Sequence, residues 1–397
     1  MSHPSLTRRA ALLGLATTAT LGRSAMALAA APTEQRFVVV LLRGAMDGLA
    51  AVTPYGDPGL PGLRDALLLP EPGREGGLRD LGGFFGLHPA LAELHGMYRA
   101  GEALAVHAAA GAWRSRSHFE AQDYLEFGVD HRMTSGWLNR VAGQITPPGA
   151  KLGTDSALAV GNAMPLLLRG PAPAVTWLPQ SFQAPEPDLY ARIAALHAKD
   201  RVTGPAIAAA LRERGFSEAV LAGAEKPANR FSFAALAAAA GKLLAAPDGP
   251  RLAALEVGGW DTHSLQITRI ADPLRQLDAG LAALRTGLGA AWARTAVLVM
   301  TEFGRTVRIN GTGGSDHGTG TVAFVLGGGV AGGRVLGNWP GLSAGQLFEN
   351  RDLMPTTDLR SLAKGLLAGH LGLKPAALAQ VFPDSAAAPP MPGLLRA

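Results

Sequence analysis

Acidic and histidine residues gather in five short stretches of the chain: Asp47 in RGAMDG, Ser117 and His118 in RSHFE, Asp261 and His263 in GGWDTH, Glu302 in TEFGRT, and Asp316 and His317 in SDHGTG. Carboxylates and imidazoles drawn from distant segments suit a divalent-cation site, whereas a structural zinc site usually shows closely spaced thiolates. The chain has no cysteine, which also excludes thiol nucleophiles and disulfides. Asp261 and His263 are two apart, so in an extended segment both side chains point the same way and can share one ion. Gly44, Gly48, Gly258, Gly259, Gly304, Gly314, Gly318 and Gly320 surround these residues, as expected where backbones approach each other or a ligand. Each residue also has a plainer reading. Asp47 or Asp316 would serve as a turn residue, Glu302 would pair with Arg305, and His118 would cap a helix. Of the remaining histidines, only His107 and His131 stay as outside candidates.

The elements that must position these residues read as α/β. Phe37 to Leu42 is a continuous apolar run suited to a strand buried on both faces. Leu104 to Ala110 is a second strand, followed by a helix over Phe119 to Phe127. Leu158 to Val160 and Ala174 to Leu178 read as peripheral strands, Asp188 to Ala222 as mostly helical, and Phe231 to Ala246 as an Ala-rich helix. Leu252 to Val257 is a strand. Ile267, Ile270, Leu274, Leu277, Leu281, Leu284 and Leu288 then mark the apolar stripe of a helix, and Ala296 to Met300 is the next strand. That strand-helix-strand unit implies parallel pairing with a right-handed crossover. Val322 to Leu326 is a further strand, Asp358 to Ala368 a late helix, and the segment from Pro383 a loose tail. Asp47, Asp261 and Glu302 each fall just behind a strand, the edge where open α/β sheets collect ligands.

Residues 1–29 read as a twin-arginine export signal: Arg8-Arg9, a moderately apolar Ala10 to Leu21 run, and Ala27-Leu28-Ala29 as the cleavage site. The apolar run is too short and too interrupted to be a stable membrane span. Residues 30–397 would form a single domain in the periplasm or outside the cell, delivered by the twin-arginine machinery. Removing Arg8, Arg9 and Arg23 brings the formal charge of +5 to +2, which argues against nucleic-acid binding.

At these motifs the chain resembles the exported domain of unknown function 1501 family, related to the alkaline phosphatase and sulfatase superfamily. The resemblance spans about residues 36 to 372 and rests on RGAMDG, RSHFEAQ, GGWDTH, TEFGRT and SDHG. It implies a three-layer α/β/α fold with a mostly parallel sheet, and one or two divalent ions (Mg, Mn, Ca or Zn) over an anionic ester substrate. It further implies Asp47, Asp261, His263, Glu302, Asp316 and His317 as metal ligands. Ser117 corresponds to the nucleophile position, with His118 and Arg305 beside it, and Arg43, Arg116 or Arg305 would fork onto ester oxygens. The superfamily shows an adjacent Asp-His pair where this chain has Glu302-Phe303, so an oxygen-rich second site favouring Mg, Mn or Ca is expected. With no cysteine in the chain, the cysteine-derived formylglycine of many sulfatases cannot form. The expected function is an exported metal-dependent hydrolase of phosphate or sulfate esters. The alternatives are a non-catalytic, metal-stabilised binding or assembly protein of the same fold, or an envelope protein whose groove binds a polymer.

Overall fold

The structure, a computed structural model, describes residues 33–145, 157–179, 187–201, 203–223 and 227–396. The signal reading of residues 1–29 lies outside them. The main sheet contains β1 (Arg36–Leu42), β2 (Ala103–Ala110), β3 (Ala157–Val160), β4 (Ala174–Trp177), β5 (Leu252–Val257), β6 (Thr295–Thr301), β7 (Thr321–Leu326), β8 (Val335–Leu336) and β9 (Thr357–Asp358). Its order is β8-β2-β7-β6-β1-β5-β3-β4, with β9 paired to β2. Eight of these strands run the same way, and β7 is antiparallel to both of its neighbours.

The sequence of β1 explains its central place. All seven residues are buried, and successive side chains serve opposite faces. Phe37, Val39 and Leu41 enter one core; Val38, Val40 and Leu42 enter the other. The helices that supply those cores are α1 (Gly48–Ala51), α2 (Ala92–Arg99), α3 (His118–Phe127), α4 (Trp137–Ile145), α5 (Pro187–His197), α6 (Thr203–Leu221), α7 (Phe233–Ala245), α8 (Gln266–Arg269), α9 (Ala271–Leu288), α10 (Leu359–Leu371) and α11 (Pro375–Val381). Trp137 and Val141 of α4, Leu362 and Leu366 of α10 and Val381 of α11 cover the first face. Leu94 of α2, Leu243 and Leu244 of α7 and Leu277 and Leu281 of α9 cover the second. The result is a mixed, mostly parallel sheet between two helical layers.

Three expectations change. β5 and β6 are parallel as expected, but they are not neighbours: β1 lies between them, with Val39 opposite both Ala254 and Leu298. The strand that is apolar on both faces takes the position with two partners. The helix expected from Ile267 to Leu288 is divided into α8 and α9. Pro273 has no N–H to continue a helix begun earlier and is suited to the first turn of a new one, and Ile267 is 40% exposed. The segment from Pro383 is not loose: Leu394 is buried, Met391 N–H donates to Ser361 O, and the buried Lys364 Nζ donates to the carbonyls of Ser385 and Ala388. Apolar side chains hidden among its prolines and alanines fasten it. Among the described residues no helix is long and apolar enough to cross a membrane.

Candidate metal centre

The parallel strands β1, β5 and β6 end at one edge of the sheet, and β7, running the other way, begins there. The segments after β1, β5 and β6, the loop before β7 and the start of α3 therefore meet. Two glycines permit the crowding. Gly44 has φ +118°, and a Cβ there would lie 3.0 Å from Asp261 N. At Gly314 a Cβ would lie 2.3 Å from the backbone of His263.

Four of the singled-out residues converge on one point. Asp261 Oδ1 lies 3.0 Å from His263 Nε2, 3.3 Å from His317 Nε2 and 3.5 Å from His118 Nε2. His263 Nε2 and His317 Nε2 are 3.0 Å apart. Ligand atoms of His118, Asp261 and His317 all lie within 4.8 Å of one another. Each imidazole is held from behind through Nδ1. His118 Nδ1 meets Glu302 Oε1 at 2.8 Å, His317 Nδ1 meets Arg116 O at 2.7 Å, and His263 Nδ1 meets Asp316 Oδ1 at 3.3 Å. A carboxylate or carbonyl oxygen only accepts, so the tautomer that keeps these contacts carries its proton on Nδ1 and turns an Nε2 lone pair toward an ion bound beside Asp261. Such support of the far ring nitrogen is usual behind metal-ligating histidines. His118 Nε2 is buried without a hydrogen-bond partner.

Electrostatics sharpen the picture. The hydrogen bond to Glu302 raises the pKa of His118 against the opposing effect of burial, with Glu302 and Asp261 adding charge. Burial lowers that of His317. For Asp261, burial opposes ionisation, but the hydrogen bond and charge of Arg305 outweigh it and the pKa falls. Lone pairs on both His263 Nε2 and His317 Nε2, 3.0 Å apart beside a carboxylate, would repel one another. A proton or a cation between them relieves that repulsion. Three imidazoles and one carboxylate fit a divalent ion of borderline softness, and the orphaned Nε2 of His118 points to the same conclusion.

The remaining expectations divide. Glu302 stands behind His118: Oε1 accepts from His118, Gln122 Nε2 and Gly44 N, and Oε2 from Thr301 Oγ1. Asp316 stands behind His263 in the same way, so the convergent donors are nitrogen-rich rather than oxygen-rich as expected. Asp47 is apart from them. Its carboxylate caps α1 through Leu49 N and Ala50 N, accepts from Gln266 and forms an ion pair with the buried Arg64. Burial opposes its ionisation, but Arg64 and these bonds hold its pKa low. Its oxygens are taken inside the protein. Arg305 is buried and donates to the carbonyls of Ala45, Ser315, Gly44 and Trp260 and to Asp261, tying the loops after β1, β5 and β6 together, so it is a clip rather than a group open to an ester. Arg43 is engaged by Glu126 and Glu256, and Arg116 by Asp352 and Glu349. Ser117 is the exposed N-cap residue of α3 and its hydroxyl makes no capping bond. His107 is buried against Phe85 and Trp339, and His131 lies beside Asp130. Gln122 was missed. It sits four residues after His118, one helical turn along the same face, and that spacing was the available signal.

The family model described as a protein of unknown function (DUF1501) matches residues 90–382. The chain belongs to the DUF1501 family. This DUF1501 match covers α3 and the segments carrying Asp261, His263, Glu302, Asp316 and His317, and begins after Asp47. No curated protein matches the chain. Among solved structures, the C-terminal periplasmic domain of EcEptC from Escherichia coli, in complex with Zn, is similar at 11% identity and a TM-score of 0.34, covering 75% of this chain and 77% of that one. Ps i-CgsB in complex with k-i-k-neocarrahexaose is similar at 12% identity and a TM-score of 0.31, covering 74% and 66%. Both TM-scores are too low to carry an argument about this DUF1501 protein.

Proposed function

We propose that the chain is an exported, metal-dependent hydrolase of phosphate or sulfate esters, with a divalent ion held by His118, His263, His317 and Asp261. The observation that carries the reading is the convergence of three Nε2 atoms on Asp261 Oδ1, each ring fastened from behind by an acceptor. When bound, such an ion supplies Lewis acidity toward an ester oxygen and offsets anionic charge. The protein supplies the rest. Glu302 and Asp316 orient the imidazoles, Arg305 fixes the loop that carries Asp261, and the helix-start amides of α3 favour an anionic group beside Ser117. Ser117 is the nucleophile in this reading, its exposed hydroxyl free of a capping role. An alkaline-phosphatase-like fold, a single domain over residues 30–397 and twin-arginine export belong to the same proposal. They are supported by the placement of the cluster beyond the parallel strands and by Arg8-Arg9 with its apolar run.

One observation favours a second reading, a metal-stabilised binding or assembly protein without turnover: Arg43, Arg116 and Arg305 are all engaged by internal acceptors. Metal analysis of the folded protein, with a panel of aryl phosphates and aryl sulfates, separates the two. Hydrolysis that disappears in both Ser117→Ala and Asp261→Ala supports the enzyme. Stoichiometric metal with no cleavage of any ester, and stability lost only in Asp261→Ala, supports the binding protein. Absence of both metal and cleavage sinks both.

A further inference from the structure

An open cavity of about 510 Å³, lined by Arg43, Gln122, Glu126 and Glu256 among others, is linked to the histidine cluster through Gln122. Gln122 lines the cavity and makes the link: its Nε2 donates to Glu302 Oε1, behind His118, and its Oε1 accepts from Arg43, which also lines the cavity. The volume falls within the ~300–1,000 Å³ usual for small-molecule sites. We infer that this cavity binds an uncharged, hydroxyl-rich group of the substrate, a glycosyl unit, while the ester lies at the cluster; the inference rests on the hydrolase reading.

Lining chemistry selects that guest. Arg43, Arg132 and Arg169 face Asp123, Glu126 and Glu256, so the formal charges cancel. Most of them are already matched. Arg43 holds Glu126 at 2.6 Å and also pairs with Glu256, and Arg132 lies 3.8 Å from Asp123. The other oxygen of Glu126 accepts from Leu167 N at 2.7 Å, and that side chain is only 4% exposed. A charged guest that engages Arg43 or Glu126 would have to break their pair and strand a buried charge. Hydroxyl groups need not, because each donates to a carboxylate and accepts from a guanidinium at once. Met133, Met164, Pro165 and Leu166 supply an apolar surface for the C–H face of a sugar ring.

The test uses the full-length mature protein with methyl-labelled methionines. Maltotriose, which carries no ester, is titrated in, and the methyl resonances of Met133 and Met164 are followed with those of the buried Met46 and Met97 as internal references. Shifts confined to Met133 and Met164 are expected. In parallel, kcat/KM is measured for glucose 6-phosphate and glucose 6-sulfate against 4-nitrophenyl phosphate and sulfate. Arg169→Ala and Glu256→Gln should each lower the sugar-to-aryl ratio about tenfold, the loss expected when one hydrogen bond of ordinary net strength is removed. Unmoved methyl signals together with an unchanged ratio overturn the subsite even if esters are cleaved. Moving signals with no cleavage of any ester keep the subsite and overturn the hydrolase reading instead.

Discussion

Asp47 and Asp261 leave the sheet from matching places, five residues beyond β1 and four beyond β5, yet their carboxylates meet opposite surroundings. Around Asp47 every neighbour is a donor: Arg64, Gln266 and two backbone amides close a buried ion pair. Around Asp261 stand three imidazole nitrogens, each on a ring held at its far nitrogen by an acceptor, with Arg305 as the one guanidinium donor among the described residues. Position behind a parallel strand therefore brings a carboxylate to the functional edge. Whether it serves the fold or an ion depends on whether its neighbours arrive as donors or as lone pairs.

Four substitutions break or sharpen that contrast. The largest effect is expected from Asp47→Ala, which leaves the Arg64 guanidinium buried and unpaired. Chemical denaturation should show a loss of about 3–5 kcal/mol, with metal stoichiometry retained in the protein that still folds. Loss of the ion at unchanged stability would return Asp47 to the ligand set. His317→Ala should do the reverse, weakening divalent-ion affinity by more than about 100-fold while the denaturation midpoint of the metal-free protein barely moves. Glu302→Gln tests the support behind His118: an acceptor remains, but its charge is gone, and affinity measured by competition with a chelator should fall roughly 10- to 100-fold. An effect as large as that of His317→Ala would make Glu302 a ligand in its own right.

The smallest effect concerns pH. Burial pushes the pKa of His107 down from 6.5 to about 4, so the folded protein keeps this ring neutral where the unfolded chain protonates it. Stability is then fully present above pH 6.5 and falls as the pH drops toward 4. By about pH 5.5 this site contributes a loss of roughly 1 kcal/mol. His107→Gln should flatten that part of a plot of melting temperature against pH. A profile as steep as the parent's would assign the slope to other groups, His88 being the first to examine because burial lowers its pKa to about 4 as well.

Much of this was legible in the residues themselves. Strand β5 coincides with its apolar run, and the buried leucines of α9 follow the stripe from Leu274 onward, because burial on one or two faces imposes a period that composition cannot disguise. Asp261, His263 and His317 were marked by their surroundings. What escaped depended on long-range partners. Nothing near Arg305 in sequence announces that it will bond carbonyls some 45 and 260 residues away, and Arg64, in a stretch with no periodicity, gives no sign that it will neutralise Asp47. His118 was weighed as a helix cap because the ring's other nitrogen has no local partner to reveal its direction. Three-dimensional proximity, not residue type, decided each of these.

The reversed course of β7 has a consequence for biosynthesis. Two of the convergent groups, His118 and His317, are separated by about half of the polypeptide, and the strand after His317 lies between β2 and β6. If these groups hold an ion as proposed, a growing or truncated chain that stops short of that strand would offer an incomplete set of ligands, so ion capture would come late, as a seal on an almost finished protein rather than a nucleus for folding.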